Sequence, residues 1–514
     1  MTDVASAPSS QIAEFRSDGV SALTGLRVPF MSDAFSRQFG FPEALPINMI
    51  AEAAPHREER PYAAYVGLRE IRYSRPGLVS AYTHTGSPVR GLTQSPPSLN
   101  STLVMVCGHA VFDDGGNSLG FITGNDLIRA AVSPTQVVIV ADGQAWLYNL
   151  NGDNVFAPIP FSFSQPVSDV GFCAGRFIYT LVGSDKFYWS DVSDAASVDG
   201  LSFATAELRA DANVAIGVLG DHILFLGSST VEDWSPDTSS TDITAPSFTP
   251  NIGSGFATRG CASRNTVQNL DNTVFWLGDD GMIYRAGSVP GPVSSPTIAD
   301  KISQCATPSA INAFVCEFDG HPLYVLNIPG VGSYAYDCSR VGTIEGAYGD
   351  STGRGQWAQW TSFGQQTFRG VGSAYVRGTW FVGDDASGTV WSLAKGTYTD
   401  AAGPLTRGAS AFIKIEEGSP RCNSLVLHCV QGVGLSSGPG SLPIVEMRWS
   451  DDLGRTFGAW RPSTLGVQGD YGARAFWQRL GQMRAPGRLV QVRCSDPVNV
   501  ALSHLELNPA RPAQ

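Results

Sequence analysis

The stretch SDDLGRTF, residues 450–457, sets a serine, an acid, a glycine, a threonine and an aromatic ring at the spacing S-x-D-x-G-x-T-[FW], through Ser450, Asp452, Gly454, Thr456 and Phe457. The chemistry of such an Asp box is that of a hairpin tip. The Ser and Asp side chains bond nearby backbone amides, Gly supplies a positive φ and the aromatic ring tucks under the turn. Acid-rich turns recur at DDGG (113–116), GDDG (278–281) and GDDASG (383–388), and clustered carboxylates are what a hard cation such as Ca2+ requires. None follows the spaced D-x-[DN]-x-[DN]-G loop, and Asp-Gly at a type I′ hairpin tip explains them without a metal.

Reaction centres leave other signatures. Glycoside hydrolysis needs two carboxylates facing one another across a cleft, and none of the 46 acidic residues carries a local mark of that role. A serine or cysteine nucleophile is not expected, since the seven His have no consistent Ser or Cys partner. GGNSLG (115–120) and GSGFATRG (253–260) lack the G-K-[ST] ending of a phosphate loop. The nine cysteines are scattered, without a C-x-x-C pair, which fits buried thiols in a reducing compartment. The expectation is a protein that is not an enzyme, with no catalytic residue, cofactor or metal.

What must position these turns is a chain of short strands. With 57 Gly and 32 Pro among 514 residues, turns are many and long helices are expected to be scarce. From about 41 to 400 one theme repeats: a β-rich run, a Gly/Asp/Ser turn and a second run ending on an aromatic residue. Ile178 and Trp189, Ile223 and Trp234, Leu323 and Tyr334, and Trp380 and Trp391 all stand eleven positions apart, which predicts a shared hairpin. About seven copies at intervals of 35 to 60 residues predict an all-β fold, a β-propeller of six or seven blades. Each terminal aromatic is expected to pack on the neighbouring blade, and the acids beside it, Glu232 and Asp233, to solvate an exposed rim.

Residues 1–40 are polar and read as an N-terminal arm that orders against a partner; 41–400 form the propeller. From 401 the runs lengthen, and Leu489, Val490, Val492, Val498, Val500 and Leu502 alternate with polar residues, predicting a separate C-terminal β-sandwich over 401–514. Met1 is followed by no cationic start or apolar run, so no secretion signal is expected, and no apolar stretch is long enough to span a membrane. The net charge of −12 disfavours wrapping nucleic acid by counterion release.

Four stretches together resemble the packaged-DNA stabilisation, or tail hub (nozzle), proteins of short-tailed bacteriophages: LPINMIAE (45–52), RPGLVSAYTHTGSPVRG (75–91), GVLGDHILFLGSSTVEDWS (217–235) and RLGQMRAPGRLVQVRCSDPVNVALSHLEL (479–507). The most specific piece carries Gly227, Ser228, Ser229, Thr230, Glu232 and Trp234. The likeness runs in order from about 41 to 507. It departs at the polar start and at the loop PDTSSTDITAPSFTP (236–250). The resemblance implies a structural virion protein of the tail, assembled in the host cytoplasm as a homohexameric ring below the portal and adaptor. It also implies that this ring closes the filled head, carries spikes or fibres and a needle or plug, and lets double-stranded DNA pass without sequence recognition. An acidic balance suits a channel that must not retain phosphates. The alternative is a tail-associated propeller that binds or hydrolyses glycan, which would need an arginine cluster at the propeller centre with a Tyr and an acid nearby. A third reading is a cytoplasmic propeller scaffold.

Overall fold

A computed structural model describes residues 13–15, 26–31, 45–53, 70–84, 86–99, 101–149, 155–206, 211–237, 248–251, 258–287, 290–340, 356–401 and 403–508. Most of the N-terminal arm and most of the 236–250 loop lie outside them. Among the described residues the one α-helix is Pro296–Ser303, and no helix is long and apolar enough to cross a membrane.

Short apolar runs between Gly- and Asp-bearing turns give antiparallel hairpins, and the hairpins give sheets in series. Five sheets of four consecutive strands follow one another, between Val89 and Phe121, Arg129 and Pro158, Val167 and Thr205, Asn213 and Pro250, and Gln268 and Pro292. A sixth takes strands from Asn312 to Trp360, and a seventh joins Gly370–Val376, Thr379–Asp384 and Thr389–Ala394 to the upstream strand Gly77–Thr83. This is a β-propeller, with the four-strand repeat that the sequence predicts. Ile178 pairs with Trp189 and Ile223 with Trp234, so the eleven-residue spacing is a cross-strand distance in those hairpins. Trp391 is an exception. It faces Val382, not Trp380.

By contact density the chain forms two compact units, one of 80–333 with 366–393, the other of 1–79, 334–365 and 394–514. The first holds the five consecutive sheets whole. Its core lies between sheets: Trp189 of the third packs at 5.8 Å on Phe248 of the fourth, and Phe187 meets Phe225 at 4.1 Å and Trp234 at 5.1 Å. Burial of each such ring contributes about 1.5–3 kcal/mol, with more from the stacked and edge-on geometry. The upstream strand enters this unit at residues 80–83, where His84 N donates to Gly388 O at 2.9 Å.

The second unit contains a β-sandwich. One sheet has the order Ala13–Phe15, Arg407–Ile415, Gly487–Cys494, Ile444–Ser450, Arg461–Thr464. The other runs Met49–Ala53, Glu70–Ser74, Ala501–Leu507, Ser424–Cys429, Ala475–Gln478, with Leu26–Pro29 also on Ala501–Leu507. Between them Ala411, Ile413, Leu427, Val490, Val492, Val498, Val500 and Leu502 form the core. Leu489 is buried but lies outside this core cluster, as its place beside Val490 requires in a strand whose successive side chains alternate faces. Four of the sandwich strands come from before residue 75. The linear reading assigns those residues to the arm and the propeller.

Gly388 has no room for a side chain, since a Cβ there would stand 2.2 Å from His84 O, whereas a Cβ at Gly291 meets nothing within 4 Å. We expect Gly388→Ala to lower the thermal midpoint by several degrees and Gly291→Ala to leave it within about a degree, measured by circular dichroism on the full chain.

Candidate functional site

The stretch that raises the sharpest question, GSST with its two acids, folds around a residue that the motif itself does not contain. Asp211 Oδ2 accepts from Ser229 N at 2.7 Å, Thr230 N at 3.0 Å and Ser229 Oγ at 3.1 Å, while Oδ1 accepts from Thr230 Oγ1 at 2.8 Å. The turn between strands His222–Gly227 and Val231–Pro236 is therefore tied down by one carboxylate. Gly227 is glycine because that carboxylate lies against it: a Cβ would meet Asp211 Oδ2 at 2.4 Å. Ser228 is exposed, and its carbonyl sits where a Cβ on Gly260 would come, 2.2 Å away.

Glu232 and Asp233 do not solvate a rim. They are 7% and 9% exposed and lie inside the strand, paired with Phe225 and Leu224. Glu232 Oε2 accepts from Trp234 Nε1 at 3.0 Å, and Asp233 Oδ1 lies 3.0 Å from His222 Nδ1. Adjacent strand residues point to opposite faces, so these two acids cannot act on one substrate as a catalytic pair. Each has a local partner, which a buried carboxylate requires.

The Asp box is also a closed structure. Ser450 Oγ donates to Asp452 Oδ1 at 2.6 Å and accepts from Gly454 N at 2.8 Å; Thr456 N donates to Asp452 Oδ1 at 2.8 Å. Hydrogen bonds from Ser450 and then Thr456 hold the Asp452 pKa down to about 2. Gly454 takes φ +86°. Phe457 is half-buried and lies 4.2 Å from the Arg448 guanidinium, so the ring serves a cation–π contact as well as the turn.

The acid-rich turns are capped in the same manner. Asp113 accepts from Asn117 N at 2.7 Å and Nδ2 at 2.9 Å, Asp280 accepts from Tyr284 Oη at 2.7 Å, and Asp384 accepts from Ala386 N, Ser387 N and Trp391 Nε1 at 2.8–2.9 Å. Among the described residues no group of three His, Cys, Asp or Glu is placed to hold a metal ion. No disulfide joins any of the nine cysteines, and burial pushes thiols such as Cys107 and Cys261 up to about 11 and about 12.

The propeller unit contains a cavity of about 260 Å3, lined by the first strands of five sheets and including Arg90, Gln94, Arg129, Asn265, Asn312 and Ser373. Its arginines are engaged within the fold. Arg90 donates to the carbonyls of Asp126, Gly108 and Thr123 at 2.7–3.1 Å, and burial lowers its pKa. Arg129 donates to Asp169 Oδ1 at 2.9 Å, Val267 O at 2.9 Å and Ile216 O at 3.4 Å. The lining holds no Asp, Glu or Tyr, so the arginine–tyrosine–acid group that a sialidase-like site needs is not assembled there.

Two of the other motif stretches meet in the second unit. Arg75, 1% exposed, donates from Nε to Asn48 Oδ1 at 2.8 Å and from Nη2 to Thr361 O at 2.9 Å and Asp400 Oδ1 at 3.1 Å. Asn48, at φ 53°, donates to Thr361 Oγ1 and Thr406 O, both at 2.8 Å. Sequence reasoning quotes LPIN and RPG without singling out Asn48 or Arg75, and it misses Asp211 and Asp400. The one local signal for them is type: a lone Asp or Asn next to a strand end commonly caps backbone amides.

Comparison with known proteins follows the same line. The family described as "Bacteriophage P22 Gp10, beta-propeller" matches residues 26–398. The tail hub protein gp10 of Salmonella phage P22 is 24% identical over 301 residues, 55% of this chain and 60% of the relative, so the match spans about three-fifths of that protein's length. Among solved structures, the extracellular domain of a hybrid two-component system from B. thetaiotaomicron aligns with TM-score 0.41 at 12% identity, over 62% of this chain and 40% of the other. BamB from Moraxella catarrhalis aligns with TM-score 0.37 at 11% identity, over 63% and 90%. Likenesses of that degree carry no argument about this chain.

Two outcomes follow from these contacts. Asp211→Ala strips four hydrogen bonds from the GSST turn and should destabilise the fold by about 3 kcal/mol, read as a shifted urea midpoint. In the sandwich, His504 stacks on His428 with centroids 4.3 Å apart. Burial, then the charges of His428 and Arg27, depress its pKa from 6.5 to about 4, and Glu506 Oε2 lies 2.8 Å from His428 Nε2. Below pH 6.5 the unfolded chain binds a proton that folded His504 refuses. Stability should therefore fall by up to about 3 kcal/mol between pH 6.5 and 4, and His504→Phe should flatten that slope in denaturant titrations.

Proposed function

The chain belongs to the phage-stabilisation family of β-propellers, and from that premise we propose that it is the tail hub of a short-tailed phage virion, a structural and non-catalytic part. In this reading identical copies form a six-membered ring below the portal and adaptor. The ring closes the DNA-filled head, contributes to the ejection channel and holds spikes or fibres and a needle or plug. The observation that carries it is the fate of the motif residues inside the 26–398 match. Asn48, Arg75, Gly227 and Thr230 serve buried or half-buried polar knots that fix loops, and Ser229 joins the last of them from the exposed side, as a rigid frame needs and a reaction centre does not.

The size of the propeller cavity supports one route for DNA over another. The cavity is about 260 Å3, while a duplex has a major groove that alone is about 12 Å wide. Genome would therefore pass between copies, through the centre of the ring, and not along the axis of one propeller.

Electron microscopy of tails bearing the tagged chain should show a closed ring of copies under the portal, and phage lacking the chain should yield filled heads whose DNA becomes nuclease-sensitive. Tails assembled without it, or sustained depolymerisation of host polysaccharide by the purified chain, would sink the reading.

A further inference from the structure

The charges of this protein are unevenly divided. The propeller unit, 80–333 with 366–393, carries 25 acidic and 11 basic side chains, whereas the other unit carries 21 and 23. One unit is thus at −14 and the other at +2, although the chain as a whole reads simply as acidic.

The positive excess has a location. Strand Ile444–Ser450 runs from the end of the sandwich next to the uncharged run 430–445, where Asp496 Oδ2 accepts from Ile444 N at 2.6 Å, to the Asp-box end. At the Asp-box end Arg488 forms a bidentate pair with Asp451 at 2.6 and 2.9 Å and donates to Leu480 O and Gln482 O at 2.6 and 3.1 Å. That residue ties the Asp-box tip to the 480–484 loop, and Gln482 bridges back to Arg421. Around it Arg421, Arg455, Arg479 and Arg484 are all exposed. Among the described residues none of these four meets a carboxylate. The acids nearby are taken: Asp451 by Arg488, Asp452 by its own hairpin and Glu416 by Lys414 at 3.0 Å, leaving Glu417. The propeller unit behaves otherwise, since its Arg259, Arg264, Arg285 and Arg377 each lie within 3.1–3.7 Å of an aspartate.

Exposed guanidiniums that meet no carboxylate among the described residues offer planar forks to a carboxylate surface, and the surface that accompanies every copy at equal concentration is the −14 propeller unit of another copy. We propose that the arginine end of the sandwich docks on the acidic propeller unit of a neighbouring copy. Copies then join head to tail through two different faces, the arrangement a closed ring needs. The inference rests on the ring reading above and adds which faces meet and what attracts them. Asp191, Asp194 and Asp199, exposed on a segment, 190–202, without a basic residue, are the kind of acceptor such a contact uses. Attraction of this sort speeds and orients encounter, and it weakens with salt.

The test uses the full-length chain in mass photometry at 50 and 500 mM NaCl, with the variant R455E/R479E/R484E at the lower salt. Wild type should assemble at 50 mM and dissociate at least tenfold more readily at 500 mM. The variant, with an unchanged melting temperature, should assemble at least tenfold more weakly. The salt titration reads the same contact without any substitution. Wild-type rings insensitive to salt, or a variant that assembles as wild type does, would overturn this contact and leave the hub reading standing. A variant that assembles normally but has lost retardation of duplex DNA on a gel would assign the arginines to DNA and overturn it equally. A wild-type chain that is monomeric at both salts and absent from tails would remove the ring reading itself.

Discussion

The last strand of a sheet exposes a row of unpaired backbone groups, and such an edge is sticky unless it is paired. Here the seventh sheet is completed by Gly77–Thr83, a strand lying some 300 residues upstream of its partner Thr389–Ala394. The fit is tight at several points. A Cβ on Gly77 would strike Thr397 O at 2.4 Å and one on Gly383 would strike Val89 at 2.4 Å. The cavity along the first strands draws on both the seventh sheet and the first, so it depends on the seventh sheet being complete.

Polar chemistry in this chain is used for holding. Asp169, fully buried, accepts from Arg129, from Val170 N and from Ile216 N, and so joins strands of three successive sheets. Arg75 with Asp400 does the same for loops of the other unit. A buried ion pair of this kind adds little net stability over an apolar substitute, but removing one partner is costly because the other charge is left stranded. Such networks specify one arrangement of the chain and disfavour its neighbours.

Much of the propeller is legible in the sequence because its signal is local. A run, a turn and an aromatic partner at fixed distance identify hairpins such as Ile178 with Trp189, and the repeat of hairpins identifies the fold. The Asp box is legible for the same reason, its bonds spanning six residues. What escapes is whatever depends on distant partners. Asp211 gives no sign that it closes a turn eighteen residues on, and Glu232 in a strand looks like an exposed acid until Trp234 Nε1 is seen to donate to it. The strands Leu26–Pro29, Met49–Ala53 and Glu70–Ser74 read as arm or propeller, because the sheet that takes them is built around Ala501–Leu507. Charge has the same blind spot: one net value conceals a −14 unit beside a +2 unit.

The weaving of early strands into the last sheet has a consequence for timing. During synthesis the hairpins of the middle sheets meet their partners within tens of residues, and contacts so local form early. Leu26–Pro29 pairs with Leu505 and its neighbours, so the sandwich stays open until residue 507 has left the ribosome. A prematurely terminated copy would hold a mature propeller and an unfinished sandwich. Completion of the chain thus acts as an inspection step, withholding truncated subunits from any structure that needs both halves.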